Sequence, residues 1–292
     1  MNENYIWGEY RLEKLLIVDG HGLLFQMFFG MPSRIVNKRG RAIHGTLGFV
    51  GALRNIINLA QTTHVIVVFD GDHENSRTEI DPDYKANRRD YSDIPDDENP
   101  FSQLEDIYTA LDFMKIRHFE ATDLEADDII ASYVITYRNS MKIVISSFDS
   151  DFFQLVGDNV SVLRYRGKKT IICDTPYIKD KYGILPEQYA DFKSLTGDSS
   201  DNIKGAKKIG VKTAALLVNQ FGNLQEVINN ANEIVKSHIR ESILSSSNRL
   251  QNNYKLIKLE NNSSLKFDLG TLLYTNKGYT TNEVLRGIKL YE

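Results

Sequence analysis

The chain has 292 residues, of which 41% are hydrophobic and 25% charged, with a formal net charge of −4 at pH 7 and one cysteine, Cys173. That length buries a sizeable core as one large domain or a large domain with a smaller appendage, and a single cysteine excludes an intrachain disulfide framework or a cysteine-rich zinc site. The longest apolar runs, such as VIVVF at 65–69, are too short to span a bilayer, and the polar start MNENYIWGEYRLEK lacks a signal pattern, so a reducing cytoplasm is expected.

Three short β-branched runs, LLIVD at 15–19, VIVVFD at 65–70 and KIVISSFD at 142–149, predict buried parallel strands. Between the first two, Leu47, Val50, Leu53 and Ile57 recur at helical spacing. Between the second and third lie a polar stretch, a helix near 101–111, and a helix opened by LEADD at 124–128. This alternation predicts an α/β fold with a mostly parallel central sheet and helices on both faces. VSVLRYRGKKTIIC at 160–173 predicts a strand pair that extends the sheet. From Pro186 onward the pattern is helical, punctuated by Gly197, Gly205, Gly210 and Gly222. The expected division is an α/β body over 1–183 and a helical region over 184–292.

Each predicted strand run ends in aspartate: Asp19, Asp70 and Asp149. In an open parallel sheet the C-terminal strand ends line the ligand crevice. One such aspartate is an ordinary turn or cap residue; three at one edge are harder to explain that way. Asp151 follows Asp149 by two residues, so both can converge on one ion. On the LEADD helix, Glu125 and Asp128 share a face, with Asp127 beside them. A helix N-terminus tolerates acids, because its free N–H groups and macrodipole favour negative charge. That accounts for the tolerance but not for the number. In LTGDSSDNIKG at 195–205, Asp198 and Asp201 are again three apart, and on this stretch alone they serve equally well as capping residues. Gathered in one place, nine carboxylates cannot stay ionised without cations. An all-oxygen set without His or Cys selects hard ions, Mg²⁺ or Mn²⁺. Nine ligands exceed the needs of one octahedral ion that retains waters, so two ions are expected. Paired ions about 3.5–4 Å apart activate a water and stabilise the leaving oxygen in phosphodiester hydrolysis.

The strings VDG, VFDG, YKANRR, LEADDII, SFDSDFFQLV and GDSSDNIKGAKKIGVKTA, in this order, resemble the bacterial and phage 5′-nuclease family. That family comprises flap endonucleases and the 5′-3′ exonuclease domain of DNA polymerase I. The resemblance implies a PIN-like body, a helical arch over about 71–121 and a helix–hairpin–helix DNA clamp over about 198–221. It assigns Asp19, Asp70, Glu125, Asp127 and Asp128 to a first metal site, and Asp149, Asp151, Asp198 and Asp201 to a second, with sharing between them. It makes Lys85 and Arg88 the stabilisers of charge on the scissile phosphate and Tyr84 a base-stacking residue, with Arg89 a further DNA contact. Read without the resemblance, a charged cluster in a polar connection such as this is usually a solvated face. Gly205, Lys207, Lys208, Gly210 and Lys212 become a hairpin that grips phosphates without reading bases; the plain alternative is a helix–turn–helix connection. The family sometimes holds K⁺ through carbonyls of this hairpin. A further basic stretch, RIVNKRGRAIHG at 34–45, is either a duplex contact or a polar loop.

The implied protein is a divalent-metal-dependent 5′-3′ exonuclease or flap endonuclease of replication and repair. Its partners are 5′ flaps, duplexes with a single-stranded 5′ end, and RNA primer–DNA hybrids. A cytoplasmic, nucleoid-associated monomer with no membrane partner is expected. The acidic balance is compatible with DNA, since setting nine metal-bound carboxylates aside turns −4 into +5. Three features depart from the family pattern. Gln26 stands where many relatives carry an arginine, with Arg34 the candidate substitute. Ser147-Phe148 replaces the usual Thr-Gly. The chain ends without a polymerase domain, which reads as a stand-alone nuclease. Rival readings are a PIN-like ribonuclease, opposed by the second-site acids and the hairpin, and a catalytically weakened DNA-junction-binding protein, for which Gln26 leaves room. A phosphatase with an aspartate nucleophile has no need of basic hairpins.

Overall fold

The computed structural model describes residues 13–71, 77–122, 124–261 and 263–292. β1 (Lys14–Asp19), β2 (His64–Asp70), β3 (Arg117–Ala121), β4 (Lys142–Ser146) and β5 (Val160–Arg164) run parallel, and β6 (Ile171–Cys173) returns antiparallel beside β5. The order across the sheet is β3-β2-β1-β4-β5-β6, so the chain works outward from β1 to one edge and then restarts on its other side. That reversal opens a crevice at the C-terminal ends of β1 and β4.

Strand residues alternate between two apolar layers, as their period of two requires. Leu16, Val18, Val65, Val67 and Phe69 pack with α1 (Gly20–Gly30) and α2 (His44–Ala60). Leu15, Ile17, Ile66 and Val68 face the opposite layer. Beyond β2 come α3 (Arg77–Ile80), α4 (Leu104–Met114), α5 (Ala126–Tyr137), α6 (Thr175–Tyr182) and α7 (Tyr189–Thr196). A two-stranded ladder, β7 (Gly197–Asp198) with β8 (Ile203–Lys204), leads into α8 (Val211–Phe221), α9 (Leu224–Asn229), α10 (Ser237–Ile257) and α11 (Thr281–Gly287). α11 packs against α2 and α4, where Val284 and Leu285 are fully buried, so the end of the 184–292 segment completes a core layer of the body.

Several elements differ from expectation. β4 stops at Ser146, which leaves Asp149 three residues beyond the strand, on a turn. β3 has the sequence RHFEA, with an exposed Arg117 and Glu120, and lies at the sheet edge, where no apolar run is needed. Within the expected arch, residues 77–99 hold the single helical turn of α3 followed by tight turns, and residues 72–76 lie outside the described residues. The stretch DPDYKANRRDYSDIPDDENP explains this. Its prolines and its Asp, Asn and Ser residues break helical hydrogen bonding in favour of turns. No helix among the described residues is long and apolar enough to cross a membrane.

Candidate metal centre

Asp19 ends β1 and caps α1. Its Oδ1 accepts from the Gly22 N–H at 2.8 Å, and its Oδ2 accepts from Ser147 Oγ at 2.7 Å. A Cβ at position 22 would meet Oδ2 at 2.2 Å, so this cap requires glycine there. Burial pushes the Asp19 carboxyl up to about 6, against the Ser147 and Gly22 hydrogen bonds and with added repulsion from Asp70 and Asp149. Ser147 also accepts the Asp149 N–H at 2.9 Å, so one hydroxyl ties the β1 acid to the turn after β4. Asp70, at the end of β2, accepts the Ala126 N–H at 2.8 Å and so caps α5. His21 Nδ1 lies 4.0 Å from Asp70 Oδ2, and burial holds its imidazole below its usual pKa.

Asp127 is where the strand-end acids and the LEADD helix meet. Burial pushes its carboxyl well up, and its repelling neighbours, in order of strength, are Asp149, Asp70 and Asp19. Asp149 accepts the Asp151 N–H at 2.8 Å and is itself raised by burial and by repulsion from Asp201 and Asp198. Asp151 is pushed well up by burial and by Asp149. Asp151, Asp198 and Asp201 each offer an oxygen within 4.8 Å of the others. Asp149 therefore borders both groups of acids.

The remaining expected ligands are engaged by cations. Arg77, 6% exposed, forks onto Asp128, with Nη1 to Oδ2 and Nη2 to Oδ1 both at 2.8 Å, and its Nη1 reaches Glu125 Oε2 at 2.6 Å. Asp128 Oδ1 also accepts the Glu260 N–H at 2.8 Å. Asp128, an expected ligand, is in this structure Arg77's counterion and an anchor for the C-terminal region. Glu125 Oε1 accepts from Lys85 Nζ at 2.8 Å, and Asp201 Oδ1 from Arg88 Nη2 at 3.0 Å. Lys193 pairs with Asp198 and lies 3.8 Å from Asp151 Oδ1. Burial raises the Asp198 carboxyl, but the hydrogen bonds from Lys193 and Ser200 outweigh it and hold the group below the usual carboxylate range. Arg77, Lys193 and the Ser147 hydroxyl are the site residues that sequence reasoning missed. Lys193 alone carried a signal, five residues before Asp198, where the turn from α7 brings it back onto that acid. Replacing Arg77 by Met takes the cation from buried Asp128 and leaves Glu125 with Lys85. A loss of about 3–5 kcal/mol is expected for the metal-free protein, measurable by urea denaturation.

Tyr84 departs from its expected role. It is 6% exposed, packs with Ala190, Ile203, Leu256 and Ile257, and its hydroxyl lies 3.4 Å from Glu125 Oε2, leaving no ring face for a base in this arrangement. Arg89 is exposed, over the Tyr91 ring and 3.8 Å from Glu98. In the hairpin, Ala206 and Ile209 are buried and anchor a loop that displays Lys204, Lys207, Lys208 and Lys212. Gly205 is required by close packing, since a Cβ there would meet Leu195 O at 2.5 Å, whereas Gly210 faces open space before α8. Arg34 pairs with Asp97 at 2.6 Å, and Gln26 donates to the Tyr165 carbonyl at 2.6 Å.

The residues suit hard divalent ions. Asp151 Oδ1 is buried without a hydrogen-bond partner, beside carboxylates that offer oxygen ligands only. Asp151, Asp198 and Asp201 could hold one ion between them, and Asp19, Asp70, Asp127 and Asp149 repel one another as a second group of acids beside them.

Comparison with known proteins gives a consistent result. Residues 14–183 match the family described as 5′-3′ exonuclease, N-terminal resolvase-like domain, and residues 184–279 match its C-terminal SAM fold. A 5′-3′ exonuclease of Buchnera aphidicola subsp. Schizaphis graminum is 34% identical over 75% of this chain and 75% of its own length. The thermostable DNA polymerase I of Thermus thermophilus is 31% identical over 88% of this chain, which spans only 30% of that polymerase. Among solved structures, a bacteriophage T5 flap endonuclease complex with DNA and metal ions gives a TM-score of 0.68 at 22% identity, covering 84% of this chain and 89% of that one. The catalytic core of Rad2 with DNA substrate gives 0.57 at 15% identity, covering 95% and 93%. At these identities the structural likeness speaks to fold alone.

Proposed function

We propose, from the premise that the chain belongs to the 5′-3′ exonuclease family, that it cuts DNA phosphodiesters near 5′ ends and flaps with the help of two divalent ions. The observation that carries this reading is the buried convergence of Asp151, Asp198 and Asp201 on one side of Asp149, with Asp127, Asp19 and Asp70 on the other. Bound Mg²⁺ or Mn²⁺ supplies Lewis-acid stabilisation and a more acidic water. The protein's part is to hold ligands and place phosphate. Ser147 fixes Asp19 and the Asp149 turn in one register, and Lys193 orients Asp198. Arg77 holds Glu125 and Asp128 at the back wall.

Lys85 and Arg88 neutralise Glu125 and Asp201 in the free protein. Arg88 is 54% exposed on its side chain, so it can exchange a carboxylate for a DNA phosphate without unfolding its loop. The exposed hairpin lysines suit duplex phosphates, with K⁺ a further ligand of the hairpin carbonyls. The reading extends to RNA primer–DNA hybrids as substrates, to a monomer, and to a place in the cytoplasm at the nucleoid.

Lys85→Ala and Arg88→Ala should each lower kcat on a flap substrate by about 10²–10³-fold, the range for loss of one preorganised charge stabiliser, while circular dichroism stays unchanged. The test of the activity is a labelled 5′-flap duplex with and without Mg²⁺ or Mn²⁺. Metal-dependent release of the flap is expected. Binding without cleavage supports a junction binder instead, and faster cutting of single-stranded RNA than of the flap supports a ribonuclease.

A further inference from the structure

From the last residue of β5 toward β6 the chain carries a basic run, Arg164, Tyr165, Arg166, Gly167, Lys168 and Lys169, which the site described above does not use. β5 runs parallel to β4 with Leu163 opposite Ser146, so this run leaves the sheet at the same edge, and at the same height, as Ser147, Phe148 and Asp149. Three contacts tie it there. Arg164 Nη2 donates to the Phe148 carbonyl at 2.9 Å. The Arg166 guanidinium lies over the Phe148 ring, 5.0 Å from its centroid. From α1, Gln26 Nε2 donates to the Tyr165 carbonyl at 2.6 Å. Arg166, Lys168 and Lys169 are exposed, and among the described residues none of them forms an ion pair with a carboxylate.

A basic run on a free loop is ordinarily a solvated face. Here one cation is held on an aromatic ring, and that ring belongs to the residue between Ser147, which bonds Asp19, and Asp149. A planar guanidinium fixed beside a carboxylate cluster, with no acid of its own, is arranged for an anion brought in from outside. We infer that the β5–β6 hairpin is a phosphate-contact surface at the rim of the metal centre, on which Arg166 grips a DNA backbone phosphate next to the cleavage position. Gln26 is a positioning residue, acting on Arg166 through the Tyr165 carbonyl. Lys168 and Lys169 extend the track along the strand. Such contacts set register and carry no sequence preference. The inference rests on the DNA-nuclease reading above.

The test is fluorescence anisotropy with a labelled 5′-flap duplex in EDTA, from about 50 to about 200 mM KCl, together with steady-state cleavage in Mg²⁺. Arg166→Ala should weaken binding about tenfold and lower the salt slope by about 1, as for loss of one phosphate contact. KM should rise while kcat stays within about twofold, because the contact positions the strand in ground and transition state alike. Arg166→Lys should restore the salt slope, since it keeps the charge. Gln26→Ala should give a smaller loss that adds nothing in the Arg166→Ala background. Wild type that binds and cleaves the flap alongside an Arg166→Ala variant of unchanged affinity and slope overturns this inference alone. Wild type that does not bind the flap overturns the nuclease reading, and this inference with it.

Discussion

Asp149→Asn is expected to lower metal-dependent cleavage by about a thousandfold or more while the protein stays folded and still binds a flap duplex, because the loss falls on transition-state stabilisation. The size follows from position. Asp149 repels Asp127 and Asp19 on one side and meets Asp151, Asp198 and Asp201 on the other. The asparagine keeps the side-chain oxygen that accepts the Asp151 N–H, so the turn survives. What it removes is the one charge available to both ion sites. Single-turnover cleavage separates this outcome from a binding defect. Activity within about tenfold of wild type would show that the two carboxylate sets work independently, contrary to the shared role argued from their geometry.

The second large effect is on stability without metal. Asp19 rises from 3.8 to about 6, and Asp127, Asp149 and Asp151 are raised as well, chiefly by burial. A carboxyl whose folded pKa lies above its unfolded value favours folding while both states are protonated, below about pH 4. That contribution is lost as pH rises through the folded value. For Asp19 alone, the rise from 3.8 to about 6 corresponds to about 3 kcal/mol lost by neutral pH. Asp198 runs the other way, since its lowered pKa contributes stability that disappears in acid. The metal-free protein should therefore be most stable in mild acid, and its Tm should fall between about pH 5 and pH 8. Saturating Mg²⁺ should flatten that slope by linkage. Asp127→Asn should raise the metal-free Tm at pH 8, although it removes a ligand. Scanning calorimetry in EDTA and in Mg²⁺ reads all three. A metal-free Tm that holds level or climbs across this range would contradict the buried-repulsion account.

The sequence carried the acids better than their surroundings. β1, β2 and β4 were legible because a buried parallel strand is a short β-branched run, and the aspartates at or just past their ends could then be placed at one sheet edge. Spacing on a helix put Glu125 and Asp128 on one face correctly, yet that face is turned to Arg77, fifty-one residues earlier in Asp128's case, and nothing local announces the fork. Tyr84 looked available because its neighbours are polar. Leu256 and Ile257 at the end of α10 cover it, a contact that arises only from the tertiary fold. β3 was opaque for a related reason, since an edge strand needs no apolar run. The strand pair at 160–173 was legible as an extension of the sheet, but its position beside the site follows from sheet order and not from pattern.

The central claim is that the acids at the β1–β4 crevice hold divalent ions. Anomalous diffraction from crystals soaked in Mn²⁺ tests it most directly. Two peaks are predicted, one contacting oxygens of Asp19, Asp127 or Asp70 and the other contacting Asp151, Asp198 and Asp201, with Asp149 adjoining both and Arg77 still on Asp128. A crevice without a peak at saturating Mn²⁺, or an ion seated between Asp128 and Glu125 with Arg77 displaced, would contradict it.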